Sequence, residues 1–88
     1  MVEINRFTAA WCGPCQTYKP IFEDVAKRLS DKATFNTIDL DKDNTNKAGE
    51  FGIRSIPATV VIKDGTPVKT EIGLLTTTQL EELVEKYV

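Results

Sequence analysis

The sequence contains no histidine and only two cysteines, Cys12 and Cys15. Structural zinc sites take their four ligands mostly from cysteine and histidine, so these two thiols would have to recruit carboxylates, an unusual set. No apolar run approaches the ~18 residues that a membrane-spanning helix needs, and the N-terminus lacks the basic and then apolar stretch of a signal peptide. We therefore expect no metal site, and a soluble protein that stays in the cytoplasm.

An excess of charge of either sign is also missing. The chain has 11 Lys and Arg residues against 13 Asp and Glu residues, which gives a formal net charge of −2. Mixed charges of this kind leave no basic surface for nucleic acid or an anionic membrane. The 88 residues are 41% hydrophobic, enough to close one small core, and they show no repeats, linkers or low-complexity tracts. We interpret residues 1–88 as a single domain and expect a monomer.

The segment that carries chemistry is Trp11-Cys12-Gly13-Pro14-Cys15. Two cysteines at this spacing lie about one helical turn apart, so a helix that begins here lets both sulfurs meet in a disulfide. Pro14 suits the first turn of such a helix. Cys12 would then lie at the helix N-terminus, where free backbone N–H groups and the helix dipole favour the thiolate, and Cys15 would be less accessible. Because the dipole contributes only about 0.3–1 kcal/mol, a large fall in the thiol pKa needs direct hydrogen bonds.

Two inert thiols or a structural disulfide are the alternative interpretation of this pair. A four-residue disulfide loop removes little chain entropy, so it would stabilise the fold weakly. In the cytosol, moreover, a cysteine pair at this spacing is more often catalytic or metal-binding than structural.

Hydrophobic periodicity predicts the order strand, helix, strand, helix, strand, strand, helix. The expected strands are Val2 to Thr8, Ala33 to Leu40, Ala58 to Lys63, and Pro67 to Ile72 at a sheet edge. The expected helices are Pro14 to about Ser30, a short one from Asp43 or Asn44 to near Phe51 with Gly52 as its stop, and Thr76 to Tyr87. Strand, helix, strand implies that the first two strands are parallel.

Local signals support these boundaries. The apolar run 60–62 predicts a strand buried on both faces. Asp64-Gly65 is a two-residue hairpin signal. Thr76 with Gln79 forms the pattern of a capping box. Pro20 lies inside the first predicted helix, where it removes one backbone hydrogen bond.

An acidic run mimics a calcium-binding loop. Asp39, Asp41, Asp43 and Glu50 occupy the first, third, fifth and twelfth positions of that pattern. The sixth position requires glycine but holds Asn44, and a strand rather than a helix precedes the run. We therefore interpret the run as a strand end and a helix cap.

Several motifs in order resemble the thioredoxin family, over a stretch from about Phe7 to the C-terminus. They are Trp11-Cys12-Gly13-Pro14-Cys15, Pro20, Gly52-Ile53-Arg54-Ser55-Ile56-Pro57, Asp64-Gly65 and Gly73. The resemblance implies an α/β thioredoxin-like fold with a minimal four-stranded mixed sheet flanked by three helices. Thioredoxins carry an additional strand and helix before this core, whereas eleven residues precede Cys12 here, so we expect the minimal core that glutaredoxins share.

The resemblance also implies thiol–disulfide exchange. Cys12 would attack a protein disulfide, and Cys15 would resolve the mixed disulfide. No bound cofactor is expected beyond the redox-active disulfide, and the expected partners are oxidised proteins and an NADPH-dependent thioredoxin reductase. The family keeps the bond before its loop proline cis. The positions that match its substrate-binding surface are Trp11, Gly13, Pro14, Ile56, Pro57 and Gly73.

Other interpretations remain open at this point. A glutathione-coupled glutaredoxin fits the short N-terminus but not the Gly-Pro between the cysteines. A non-catalytic thioredoxin-fold subunit or a metal carrier would use the same pair without turnover. Trp11 could be an ordinary core aromatic, and Pro57 could simply open a strand.

Arg6 is the clearest departure from the family. Counting back from Cys12 places it where thioredoxins bury an aspartate beneath the cysteines, and Thr37 stands where they have a lysine. The guanidinium could point at the cysteines and favour the thiolate of Cys15. Alternatively, its stem could cover apolar surface with the charge in water. We expect the second arrangement, because burying an unpaired guanidinium is costly.

Overall fold

The computed structural model describes residues 1–42 and 47–88, and the predicted order of elements is confirmed. The strands are β1 Val2–Thr8, β2 Thr34–Asp39, β3 Ala58–Lys63 and β4 Thr66–Ile72. The helices are α1 Gly13–Arg28, α2 Lys47–Glu50 and α3 Thr77–Tyr87. The predicted helix start at Asp43 or Asn44 lies outside the described residues.

The four strands form one mixed sheet in the order β2-β1-β3-β4. β1 is parallel to β2, as predicted, and antiparallel to β3, which in turn is antiparallel to β4. The register places Ile4 of β1 between Phe35 and Val61 of its two neighbours. β4 is an edge strand and β3 is buried on both faces, so both predictions are confirmed.

The two faces of the sheet carry separate apolar clusters, because side chains alternate along each strand. On one face α1 and α3 pack over Val2, Ile4 and Val61. On the other face Phe7 meets the ring of Phe51 edge-on, with 6.1 Å between the ring centroids. β1 is therefore covered on both sides, and the helix that follows it begins at the end of a central strand.

The predicted turn and cap are confirmed. Asp64 has φ 52° and Gly65 has φ 84°, the positive values that a two-residue hairpin of this type requires. The hydroxyl of Thr76 accepts the N–H of Gln79, and the side chain of Gln79 accepts the N–H of Thr76, which completes the capping box. In the described part of the chain, no helix combines the length and the apolar character needed to cross a bilayer.

Candidate active site

The site is built at the first turn of α1. Cys12 is the N-cap residue, with the extended dihedrals φ −94° and ψ 108°, and Pro14 lies in the first turn. The sulfur of Cys12 accepts the backbone N–H of Cys15 at 3.2 Å. A cysteine sulfur therefore takes the position in which a serine or aspartate oxygen usually caps a helix. The predicted start of this helix is confirmed.

Cys12 and Cys15 form a disulfide, with 5.2 Å between their Cα atoms. Cys12 is 6% exposed and Cys15 is fully buried, so their order of accessibility is the one expected from their places in the helix. Both sulfur-bearing residues pack against Ala9 and Ile56. Any reagent from solvent therefore reaches Cys12 first.

Two hydrogen bonds fix the loop between β1 and α1, and neither was apparent from the sequence. The N–H of Cys12 donates to the carbonyl of Ala9 at 3.2 Å. The side-chain amide of Gln16 donates to the same carbonyl at 3.1 Å. Ala9 thus receives two donors from the segment that holds the disulfide, which fixes the turn between β1 and α1.

A second loop lies beside the disulfide. The Ile56–Pro57 peptide bond is cis, which confirms the prediction, and Pro57 is buried. The N–H of Gly73 donates to the carbonyl of Pro57 at 2.8 Å. Gly73 has φ 104°, a value that side chains other than glycine rarely adopt. Three of the predicted positions are therefore brought together next to the cysteines.

Trp11 is 71% exposed, so the interpretation of this residue as core is wrong. Its indole N–H donates to a carboxylate oxygen of Asp41 at 3.3 Å, a partner that sequence reasoning missed. Gly13 and Pro14 are exposed beside it. On either side of Gly73, Ile72 and Leu74 are exposed by 55% and 47%. Exposed apolar side chains therefore flank the loops of the site.

Arg6 corrects one expectation. Its side chain is only 3% exposed, so the prediction that its charge lies in water is wrong. Nη1 donates to the carbonyl of Cys15 and Nε to the hydroxyl of Thr37, each at 3.4 Å. The guanidinium carbon lies 5.5 Å from the ring centroid of Phe22. Arg6 is buried because side chains alternate between the two faces of a strand, which places Arg6 on the same face as Ile4, under α1.

Burial changes the titration of two groups beneath the helix. It lowers the pKa of the Arg6 guanidinium from its ordinary value, while the negative charge of Glu23 opposes that change. Burial raises the pKa of Tyr18 to about 12, partly offset by the hydrogen bond to Thr59. The two hydroxyl oxygens of that bond lie 2.7 Å apart. Tyr18 is therefore neutral at physiological pH and Arg6 is cationic.

A cleft of about 300 Å³ opens between α1 and the ends of β1 and β2. Its charged lining residues are Arg6, Lys19, Glu23 and Asp39. Within residues 1–42 and 47–88, no group of three or more Cys, Asp or Glu side chains is close enough to hold a metal ion. Asp43 and Asn44 of the calcium-like pattern lie outside the described residues.

The four-stranded sheet, the cysteine pair at the start of the helix after its parallel strand and the cis proline beside that pair define the thioredoxin-like class of thiol–disulfide oxidoreductases. Comparison with known proteins then gives the family. The model of the family described as Thioredoxin matches residues 2–86, and the chain belongs to the thioredoxin family.

Individual relatives agree with this assignment. The chain is 40% identical to a thioredoxin of Bacillus subtilis (strain 168), over 98% of this chain and 82% of the relative. It is 42% identical to one of Rhodospirillum rubrum, over 90% of this chain and 75% of the relative. The structure of Fasciola hepatica thioredoxin is similar with a TM-score of 0.89 and 31% identity, over 99% of this chain and 81% of that one. The chain is accordingly a thiol–disulfide oxidoreductase, and the family implies protein disulfides as the substrate class.

Proposed function

We propose that this protein reduces disulfides of other proteins, with Cys12 as the nucleophile and Cys15 as the resolving cysteine. The observation that carries the proposal is the hydrogen bond from the N–H of Cys15 to the sulfur of Cys12, 3.2 Å long, at a helix N-terminus. In the reduced protein the same donor stabilises a thiolate on Cys12. The complete burial of Cys15 suits a group that reacts only inside the protein.

The proposed cycle exchanges one disulfide for another in two steps. The Cys12 thiolate attacks one sulfur of the substrate disulfide, so that bond breaks and a mixed disulfide forms. Cys15 then attacks the sulfur of Cys12, which forms the Cys12–Cys15 bond and releases the second substrate sulfur. Two electrons pass from the protein dithiol to the substrate, which leaves as two thiols.

The surface around Cys12 is the proposed binding groove for an extended substrate chain. It combines the exposed Trp11, Gly13 and Pro14 with the loops that hold Ile56, Pro57 and Gly73. Among the described residues, no hydrogen bond uses the main-chain N–H or carbonyl of Ile56, which leaves both groups free to pair with a substrate backbone.

The remaining assignments are part of the same proposal. Residues 1–88 act as a single domain and a monomer in the cytoplasm, with the redox-active disulfide in place of a bound cofactor. An NADPH-dependent thioredoxin reductase returns the disulfide to the dithiol, so the protein carries electrons in cell redox homeostasis. Coupling to that reductase rather than to glutathione and its reductase distinguishes this role from that of a glutaredoxin.

Trapping of reaction intermediates tests the proposal. Cys15→Ser should accumulate mixed disulfides with protein substrates, because nothing resolves them, whereas Cys12→Ser should accumulate none. The intact protein should speed the reduction of insulin by dithiothreitol, and the control is dithiothreitol alone. Trapping by Cys12→Ser and not by Cys15→Ser would reverse the roles of the cysteines, and equal trapping by both would contradict the assignment of distinct roles. No acceleration of insulin reduction would contradict the proposed activity.

A further inference from the structure

We propose that Arg6 is a positioning residue for the second half of the reaction: its fixed guanidinium stabilises the thiolate of Cys15, so that resolution of the mixed disulfide needs no buried carboxylate. The inference rests on the proposed roles of Cys12 and Cys15. It concerns a residue that stands where the resemblance places an aspartate.

Three contacts hold the charge under the cysteine. Nη1 of Arg6 reaches the carbonyl of Cys15 and Nε reaches the hydroxyl of Thr37, each at 3.4 Å, and the guanidinium lies 5.5 Å from the ring centroid of Phe22. The carbonyl that receives this hydrogen bond and the sulfur that must ionise belong to the same residue. Because Arg6 is 3% exposed and Cys15 is fully buried, water screens their interaction weakly.

Among the described residues, the other charged groups around the cleft do not neutralise the Arg6 guanidinium through a direct ion pair. None of the ion pairs among the described residues involves Arg6. Of the groups on α1, Glu23 attracts the guanidinium without a direct pair, Tyr18 is neutral, and Lys19 adds a second positive charge. On β2, Asp39 lines the same cleft.

The step itself begins with the mixed disulfide on Cys12. Burial by itself disfavours ionisation of the Cys15 thiol, whereas a nearby positive charge favours it. The proton of the Cys15 thiol is finally taken up by water. The Cys15 thiolate attacks the sulfur of Cys12, the bond from Cys12 to the substrate breaks, and the departing substrate thiolate takes a proton from water. Arg6 gives up no proton and remains cationic throughout.

Titration of Cys15 tests the inference in a Cys12→Ser background, where Cys15 is the only thiol. The carbon NMR shift of its Cβ reports the fraction of thiolate at each pH. With Arg6 intact, Cys15 should titrate at or below the ordinary range of a cysteine thiol despite its burial. Arg6→Met keeps much of the stem and should lower the ratio of thiolate to thiol at a given pH tenfold or more, which equals a pKa at least one unit higher. Arg6→Lys should recover most of the difference.

The matched control is Lys19→Met, which removes the same charge from the same cleft at an exposed position. It should change the thiolate fraction less than twofold. The inference is overturned if Cys15 titrates alike in the parent, Arg6→Met and Arg6→Lys proteins. If Arg6→Met does not fold, the Cys12→Ser protein with Arg6 intact still tests the inference. A Cys15 pKa well above the ordinary thiol range in that protein would exclude a stabilised thiolate and overturn the inference.

A kinetic measurement separates this inference from the proposed cycle. In the protein with both cysteines, Arg6→Met should accumulate mixed disulfide at neutral pH, and raising the pH should restore its resolution. Absence of mixed disulfide in the parent's Cys15→Ser variant would contradict the cycle. If Cys15→Ser traps mixed disulfides normally but Arg6→Met resolves its mixed disulfide at the same rate at every pH, only the role of Arg6 is contradicted.

Discussion

The hydrogen bond between Tyr18 and Thr59 offers a stability prediction that the structure makes quantitative. Tyr18 lies on α1 three residues after Cys15, and Thr59 lies on β3 two residues after Pro57. Their hydroxyl oxygens are 2.7 Å apart, and both side chains are fully buried. The bond therefore joins the helix that holds the disulfide to the strand that follows the cis proline.

Removing one partner leaves the other hydroxyl buried without a hydrogen bond. Tyr18→Phe should therefore lower the free energy of unfolding by about 1–3 kcal/mol, and Thr59→Val by a similar amount. The double variant replaces both groups with apolar ones and should lose at least about 1 kcal/mol less than the sum of the single losses. In a domain of this size, 1 kcal/mol corresponds to roughly 4–8 °C in melting temperature.

The raised pKa of Tyr18 adds a test in alkali. The folded protein holds the phenol proton up to a pKa of about 12, against the ordinary value of 10.0. Above pH ~10 the unfolded chain binds fewer protons than the folded one, so the free energy of unfolding falls as pH rises. The fall should reach about 3 kcal/mol once pH passes the folded pKa. Tyr18→Phe should abolish this part of the alkaline loss.

The assay is thermal and urea unfolding of the parent, the two single variants and the double variant, followed by circular dichroism at neutral and alkaline pH. Tyr87→Phe is the control, since its hydroxyl makes no hydrogen bond within the described residues and its removal should change stability by less than about 0.5 kcal/mol. Strictly additive losses in the double variant would refute the coupling. An unchanged alkaline loss in Tyr18→Phe would refute the account of its pKa.

Two further changes test local features. Gly73→Ala should lower the free energy of unfolding by about 1–3 kcal/mol, because φ at this position is 104°. It should also raise the KM for insulin if the Gly73 loop binds substrate, and a KM equal to that of the parent would contradict that role. Thr76→Ala should lower the free energy of unfolding by about 1 kcal/mol through loss of the capping box. Thermal unfolding measures the loss against the control Thr78→Ala at an exposed neighbouring position, and equal melting temperatures of the two variants would contradict the role of the cap.

Short-range patterns were sufficient to predict most of the fold. The two-residue turn at Asp64 and Gly65, the capping box at Thr76 and the start of α1 near Pro14 all depend on residues within one turn of each other. Their physics is that of backbone dihedrals and unsatisfied N–H groups, which neighbouring residues decide. The cysteine pair belongs to the same group, since its spacing fixes its geometry within a helix.

Partners that are distant in sequence were not predictable in this way. Trp11 and Asp41 are 30 residues apart, and Tyr18 and Thr59 are 41 apart. Such pairs depend on the register between strands and on the rotation of α1 over the sheet, neither of which leaves a local signal. A polar residue in an apolar helix face, such as Tyr18 among the buried positions of α1, is the one hint that a buried partner exists.

The error at Arg6 shows how two physical rules compete. The cost of burying a guanidinium favoured a charge in water, whereas strand alternation assigns Arg6 to the face of Ile4 under α1, and alternation prevailed. The register places Thr37 directly opposite Arg6 on the parallel strand β2. A lysine at that position would set two positive charges side by side in a poorly hydrated layer. A threonine hydroxyl instead accepts the Nε hydrogen bond, so Thr37 satisfies one donor of the buried guanidinium without adding a second positive charge.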